Sequence, residues 1–298
     1  MKEFLICIKR TKWQRDIEEY GSAKILRHLY RLQNNIFRRV YASHVRQERS
    51  LEKLRLELKD RADFIYREDL SVSKVNQYHT LVSFGGDNHF IYVARFAGER
   101  SIIGVNSDPL TSSGALVYFN TDSFLTFTNQ KSRNFERWTM IVGEITFPDG
   151  QVIITSPCIS ETSIHNTFSD SMSRYFLRIN QEPFEEQKSS GLLLATGAGS
   201  TGWFHSCLPE TIQIYENPIF GKNQPIFKFV AREPGHQKQK FYRYLYKTLS
   251  TSDTLEVISE MDGQITIDSH PEISYSFPAG AKASFRLSDT VIKVIIPN

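Results

Sequence analysis

Apolar residues follow two different rhythms along this chain. In the first hundred or so positions, short apolar runs alternate with stretches in which apolar residues return every three or four places. Residues 4–8 (Phe4, Leu5, Ile6, Cys7, Ile8) form a run of strand formers and predict a buried strand. From 16 to 34 the positions Ile17, Ala23, Ile25, Leu26, Leu29 and Leu32 keep a roughly helical period. From 43 to 59, Val45, Leu51, Leu54 and Leu58 recur with charges between them, which predicts an amphipathic helix with Ser43 as its cap. Residues 63–66, 80–84 and 101–105 predict further strands, with a short helix near 89–96. Strands alternating with helices predict a mostly parallel sheet. Ligands of such sheets sit at the carboxyl ends of the strands.

After about residue 110 the helical period fades, apart from a stretch at 122–131. Pro148-Asp149-Gly150 between two apolar runs is a hairpin signal. Residues 173–179 alternate Tyr175, Leu177 and Ile179 with polar partners, and 191–195, 226–231, 255–259, 264–267, 273–277, 283–287 and 290–296 are further strand segments. The expected fold class is therefore α/β plus all-β. A Rossmann-like parallel α/β domain over 1–110 precedes an antiparallel β-rich domain over 111–298, with the final residues packing back on the first domain. Residues 238–246 mix Lys, Arg and Tyr; an exposed strand or loop is the expectation there, in preference to a nucleic-acid patch.

Composition narrows the function classes. The chain has 298 residues, 40% hydrophobic and 23% charged, which suits packed domains rather than disorder. A formal charge of +3 implies no nucleic-acid partner by itself. The basic residues of the first hundred positions are interleaved with acids after Glu48 and read as a solvated helix face. Cys7, Cys158 and Cys207 are odd in number and far apart, without disulfide or zinc spacing. That suits a reducing compartment, so the chain reads as cytoplasmic, or as mitochondrial-matrix if a transit peptide has been removed. Nothing approaches the ~20 apolar residues of a membrane span, and no membrane partner is expected.

Two glycine-rich turns carry the chemistry. The run 80–84 ends in Gly85-Gly86-Asp87-Asn88. Glycines there would permit positive φ and close approach of a polyphosphate to backbone N–H groups, with one carboxylate beside them. That is a layout for phosphoryl transfer to an alcohol, although the same four residues are also ordinary turn formers. The second segment, Leu192-Leu-Leu-Ala-Thr-Gly-Ala-Gly-Ser-Thr-Gly-Trp203, is a strand followed by hydroxyls and glycines. It suits the ribose or phosphate of a nucleotide.

The pair of turns, in this order and separated by a β-rich stretch, resembles the NAD kinase family, most closely its mitochondrial-type members. The likeness extends to Gly104-Val-Asn-Ser-Asp-Pro109 with Ser113-Gly114, to Gln187-Lys-Ser-Ser-Gly191, to Arg232-Glu-Pro234 and to Asp262-Gly263. The resemblance implies an α/β domain, a β domain and an active site between them. It implies that ATP, with Mg²⁺ held largely by phosphates and water, phosphorylates the 2′-hydroxyl of the adenosine ribose of NAD or NADH. It implies that Asp87 is the catalytic carboxylate, with Gly85, Gly86, Asn88, His89 and Asn106 near the nucleotide. On the acceptor side it implies Asn166, Thr167, Thr196, Gly199, Ser200, Thr201, Trp203, Asp262 and Gly263. A homodimer is implied as well. His89 and His165 flank motif positions, either as phosphate contacts or as turn residues.

Three positions depart from the family pattern. Asn88 stands where the family has glycine, Thr167 where it has glutamate, and His89 where it has threonine. Asn tolerates a left-handed backbone, so the first turn can survive. Loss of the glutamate removes a charged partner for ribose hydroxyls, a loss of about 1.5–3 kcal/mol in binding. The leading expectation is an NAD kinase. The alternatives are a non-catalytic NAD(H)- or NADP(H)-binding homologue and a kinase of another alcohol such as a lipid.

Overall fold

The computed structural model describes residues 2–32, 36–130, 132–168, 170–208, 217–235 and 241–298. The chain divides into two compact units, one of residues 1–136 with 292–298 and one of residues 137–291. Among the described residues no helix is long and apolar enough to cross a membrane.

The first unit is built on parallel strands β1 (Phe4–Ile8), β2 (Ala62–Tyr66), β3 (Thr80–Phe84) and β4 (Ser101–Asn106). The helices are α1 (Lys12–Tyr20), α2 (Ala23–Leu32), α3 (Ile36–Glu57), α4 (Val72–Val75) and α5 (Asp87–Ala94). A short strand β5 (Phe119–Asn120) leads into α6 (Thr121–Thr128), and β6 (Asn134–Trp138) takes the chain out of the unit. The sheet order is β2-β1-β3-β4-β19-β6, where β19 (Ile292–Ile296) is the last strand of the chain, with β5 paired to β4. All five residues of β1 and of β3 are buried, as strands inside a two-sided sheet should be, the polar Thr80 and Ser83 included. Phe4, Ile6, Val82, Ile103, Leu54 and Phe124 share one core with α3 and α6.

Several local expectations are corrected here. The stretch 16–34 is not one helix: α1 ends at Gly21, whose φ of 76° is left-handed and stops it, and α2 starts afresh. Thr11 and Gln14 form the capping box of α1. Ser43 is no cap, because α3 has already begun at Ile36; its hydroxyl donates instead to Asp108 Oδ2 at 2.6 Å. The unit also continues past residue 110. Phe119, Phe124 and Phe127 pack into its core, which carries the boundary to the far side of α6. Asn34, Lys131 and residues 238–240, on which parts of three expectations fell, lie outside the described residues.

The second unit holds two antiparallel six-stranded sheets. Its strands are β7 (Ile141–Thr146), β8 (Val152–Ile154), β9 (Glu161–Asn166), β10 (Ser173–Ile179), β11 (Glu185–Ser189), β12 (Leu192–Ala195), β13 (Ile226–Ala231), β14 (Tyr246–Ser250), β15 (Leu255–Ser259), β16 (Gly263–Ile267), β17 (Ser274–Phe277) and β18 (Lys282–Leu287). One sheet runs β11-β10-β15-β18-β7-β8 and the other β14-β13-β12-β9-β16-β17. A single apolar cluster, including Tyr175, Leu177, Phe229, Val257, Ile265 and Phe285, joins residues of both. The short helix α7 (Trp203–Cys207) sets Phe204 against Leu193, Ala195 and Val230, on the other face of β12 and β13. The last strand, β19 (Ile292–Ile296), returns to the first unit and pairs in parallel with β4.

Candidate functional site

In the first unit, β3 ends and α5 begins at once, with Asp87 as the first helical residue and Gly86 as its cap. No side chain caps this terminus. Its N–H groups and the helix dipole favour an anion there. Asp87 is half-buried and held firmly: Oδ2 accepts from the Ala115 N–H at 2.9 Å and Oδ1 from the Leu116 N–H at 2.8 Å. Each carboxylate oxygen keeps a further lone pair. The glycines before it are not in left-handed conformations; Gly86 has φ −95°, ψ −174°, and Gly85 is not among the positive-φ glycines. They serve close approach instead. A Cβ on Gly85 would lie 2.7 Å from His89 Cδ2, and one on Gly86 would lie 3.2 Å from Ser112 Oγ.

His89 and Asn88 are thereby corrected. His89 is 1% exposed, and its Nε2 lies 3.0 Å from the Cys7 carbonyl oxygen. A carbonyl only accepts, so Nε2 carries the proton, and Nδ1 has no partner among the described residues. Burial pushes the imidazole down to about 3, with Lys9 and Arg67 adding to the shift against the opposing Cys7 hydrogen bond. His89 is thus a neutral core residue of the first unit, not a surface ligand for phosphate. Asn88 is exposed and helical, so its position requires no left-handed backbone.

The turn after β4 belongs to the same assembly. Asn106 Nδ2 donates to Ser112 O at 2.9 Å, and its Oδ1 accepts from the Asp108 N–H at 3.1 Å. Asp108 takes hydrogen bonds from Arg46, Ser43 and Thr111. Burial would raise its carboxyl, but these partners together hold it below the usual carboxylate range. Asn106, buried at 6% exposure, therefore shapes the loop that Asp87 grips rather than presenting its amide to solvent.

In the second unit the Thr196–Trp203 turn divides in two. Thr196 and Ser200 are fully buried. Thr196 Oγ1 donates to Ile159 O at 2.6 Å and accepts from the Ala198 N–H at 3.1 Å, and Ser200 Oγ donates to Gly197 O at 2.8 Å. Their hydroxyls close the turn on itself, so these side chains do not face a ligand as the sequence suggested. Gly197 and Gly199 have steric causes: a Cβ on either would stand 2.3 Å from a backbone carbonyl, that of Gly221 or of Ser160. Behind the turn, the buried Asp268 carboxylate accepts from the Ser160 and Ile159 N–H groups at 2.7 and 3.0 Å, yet burial still pushes it up to about 6. Thr201 is exposed and Trp203 is 37% exposed. Asp262-Gly263 is no hairpin, because β15 and β16 belong to different sheets and the pair makes the crossover. Gly263 opposes Asn166 in register, and a Cβ there would meet Phe277 O at 3.0 Å.

A pocket of about 280 Å³ opens where three strands end together. Leu192 of β12 faces Ile164 of β9 on one side and Ala231 of β13 on the other. Antiparallel pairing then carries Ser190, just before β12, next to the ends of both neighbours. His165, Asn166, Ser190 and Arg232 accordingly line the pocket, with Trp203, Phe168, Ser171 and Glu233 around them. Of the acceptor-side residues expected from sequence, Asn166 and Trp203 line it, while Thr167, Thr196, Gly199, Ser200, Thr201, Asp262 and Gly263 do not. Phe168 and Ser171 gave no sequence signal. Arg232 and Glu233 stood out only through the family likeness.

The guanidinium of Arg232 lies over the Trp203 ring, 4.9 Å from its centroid. One of its nitrogens, Nη2, donates to Ser190 O, while Nε is buried without a partner among the described residues. Burial lowers the Arg232 pKa, yet an arginine stays charged at any ordinary pH. Its charge at the pocket wall favours an acidic or electron-rich ligand group. Among the described residues no group of three or more His, Cys, Asp or Glu side chains could hold a metal ion.

No family profile matches the chain. In an alignment of 248 residues it is 23% identical to the mitochondrial NAD kinase 2 of Rattus norvegicus, which takes in 67% of this chain and 58% of that protein. The Homo sapiens protein of the same name is 22% identical over the same length, with 67% of this chain and 56% of that protein covered. The chain thus spans little more than half the length of the curated relatives it matches. An NAD kinase from Archaeoglobus fulgidus, solved with ATP, superposes with a TM-score of 0.65 at 15% identity over 98% of this chain and 92% of that one. Yeast NADH kinase, solved with NADH, gives a TM-score of 0.72 at 12% identity over 100% of this chain and 84% of that one. The chain has the fold of these enzymes, an α/β unit and a β-rich unit.

Proposed function

We propose that this chain belongs to the NAD kinase family and transfers the γ-phosphoryl group of ATP to the 2′-hydroxyl of the adenosine ribose of NAD or NADH. The observation that carries the reading is the pocket of the second unit, which gathers Asn166, Trp203 and the desolvated guanidinium of Arg232. An aromatic face, amide and hydroxyl groups, and one cation suit a nucleotide. ATP and NADH, held by the two structural neighbours, are carried over to this chain as donor and acceptor.

In this reading Asp87 receives the proton of the ribose hydroxyl as its oxygen attacks the γ-phosphorus and ADP leaves. General-base help of that kind is worth roughly 10²–10⁴-fold. The Ala115 and Leu116 N–H groups fix the direction of the carboxylate and leave it further lone pairs. The uncapped start of α5 offers backbone N–H groups to phosphate oxygens. Mg²⁺ arrives with ATP as part of that substrate. A homodimer belongs to the same reading. Val152 and Ile154, 52% and 68% exposed on the edge strand β8, are apolar surface that a second copy could cover.

The test is formation of NADP or NADPH from ATP, Mg²⁺ and NAD or NADH at high enzyme concentration, read by an NADP-specific dehydrogenase. Asp87→Asn is expected to lower kcat by about 10²-fold or more with dinucleotide affinity little changed. Equal turnover in that variant removes Asp87 from the mechanism. One observation favours a second reading, a dinucleotide-binding protein without turnover: both oxygens of Asp87 already hold a loop in place. That reading expects NAD or NADP to raise Tm with no product formed.

A further inference from the structure

Thr167 does not take up the task of the glutamate it replaces. Its N–H and its hydroxyl both donate to the carbonyl of Asp262, at 2.8 Å each, and it is not part of the pocket wall. The pocket nevertheless has a carboxylate. Glu233 lines it together with Asn166, although the two residues are far apart in sequence: Asn166 ends β9, and Glu233 follows β13, which neighbours β9 only through β12.

We propose that Glu233 supplies the carboxylate that holds a ribose cis-diol in this pocket, in place of the side chain missing at residue 167. The inference rests on the reading of the pocket as a nucleotide site. It does not require that the bound nucleotide be phosphorylated.

Three independent features support it. The first is orientation. Ser190 Oγ donates to Glu233 Oε2 at 2.5 Å, and this is the only hydrogen bond of the Glu233 side chain among the described residues. One oxygen is fixed and the other stays open to accept. The second is the backbone. Glu233 has φ +47°, in the left-handed region, and stands directly before Pro234. A Cβ disfavours that region, and a following proline disfavours helical conformations of either kind. Glycine would adopt it without penalty. A bulky acidic residue kept there, on the wall of a pocket, is strain of the sort found at ligand clamps.

The third is the match between walls and ligand. Trp203 offers an aromatic face backed by the Arg232 guanidinium. Asn166 and Ser171 add neutral polar groups. A nucleoside presents an aromatic base and two adjacent hydroxyls. Those hydroxyls are donors: one can reach the open Oε1 of Glu233 and the other the remaining lone pair of Oε2. A phosphate on either hydroxyl would remove a donor and set like charge against Glu233, so the pocket selects a free diol. At about 280 Å³ it suits one nucleoside moiety rather than a whole dinucleotide.

Calorimetric titration decides it. Wild-type protein, Glu233→Gln and Glu233→Gly are each titrated with NAD and with two NAD analogues, one lacking the 2′-hydroxyl of the adenosine ribose and one that of the nicotinamide ribose. One analogue is expected to bind the wild type about 10- to 100-fold more weakly than NAD, the loss of a hydrogen bond to a charged partner. Both variants are expected to bind NAD and that analogue alike, each about as weakly as the wild type binds the analogue. Glu233→Gly relieves the left-handed strain, so a folding defect cannot account for the loss. Unchanged discrimination in the variants overturns the assignment of Glu233, whatever the kinase assay gives. Normal discrimination without NADP formation overturns the kinase reading alone. No binding of NAD by the wild type overturns both.

Discussion

His89 gives the sharpest quantitative test of the structure. In the folded chain the buried imidazole is pushed down to about 3, chiefly by desolvation, whereas an unfolded chain titrates it near 6.5. Protonation would put a charge and an unpartnered N–H into the core near Lys9 and Arg67. Between the two values the unfolded state binds a proton that the folded state does not. The contribution of His89 to stability is therefore complete above pH 6.5 and is lost as pH falls through that value. At pH 5 the loss amounts to about 2 kcal/mol, and at pH 7 it is a few tenths at most. The perturbation is His89→Gln, whose amide N–H can still reach the Cys7 carbonyl but which has no proton to gain. The measurement is urea unfolding of both proteins at pH 7, 6 and 5. Wild type should lose about 2 kcal/mol more than the variant between pH 7 and 5. Groups that titrate in both proteins cancel in that difference. Parallel curves would mean that folded His89 takes up its proton freely, and the buried neutral ring would be wrong. The variant also bears on function, because a core histidine predicts an unchanged KM for ATP, while a phosphate ligand predicts a rise.

Two further perturbations address the second unit. Gly199→Ala would place a Cβ 2.3 Å from the Ser160 carbonyl oxygen, whereas Gly202→Ala meets nothing nearer than 3.9 Å. The first should lower stability by about 1–3 kcal/mol and the second hardly at all; equal Tm values for the two would refute the packing account of the turn. Asp268 titrates in the opposite sense to His89. Its carboxyl is raised to about 6 by burial, so between 3.8 and 6 the folded state holds the extra proton. The stability that this group confers is greatest below pH 3.8 and is lost as pH rises through 6, by about 3 kcal/mol at pH 7. Asp268→Asn can still accept from the Ile159 and Ser160 N–H groups and should remove that slope, as urea unfolding across pH 4–7 would show.

The two titrations partly offset each other in the wild type. Going from pH 7 to 5, Asp268 returns about 1.3 kcal/mol while His89 loses about 1.9 kcal/mol. A shallow wild-type pH profile therefore hides two steep ones, and only the paired variants expose them.

What the sequence made legible, and what it hid, follows from the range of the interactions involved. The strands at 4–8 and 80–84 were readable because two-sided burial demands unbroken apolar runs, and Pro148-Asp149-Gly150 because a turn is a local event; Gly150 has φ 87° between β7 and β8. The helix breaks were less so. The period from Ile17 to Leu29 ran straight over Gly21, whose left-handed conformation ends α1. The roles of the motif residues were hidden for a different reason. Residue type records which donors and acceptors a turn owns, not whether the fold consumes them. Thr196 and Ser200 look like ligand contacts by composition, but their hydroxyls bond Ile159 and Gly197. His89 looks like a partner of Asp87 by adjacency. Two residues apart on a helix, however, they point to nearly opposite sides, and only the start of α5 at Asp87 reveals it.

In the Glu233 proposal the replacement at residue 167 leaves the pocket its carboxylate. A motif read along the chain assigns one task to one position. A pocket assembled from antiparallel strands can be given the same chemical group from any strand end that reaches it. Leu192 fixes the geometry by facing Ile164 and Ala231 at once, so the residues that follow each of these share one wall. A carboxylate lost after β9 can then be supplied from after β13 without disturbing the sheet they share, because both segments lie beyond the last paired residues. What such an exchange does require is a backbone that turns the new side chain inward. The left-handed conformation of Glu233 before a proline meets that requirement, and it predicts that substitution there alters nucleotide affinity far more than fold stability.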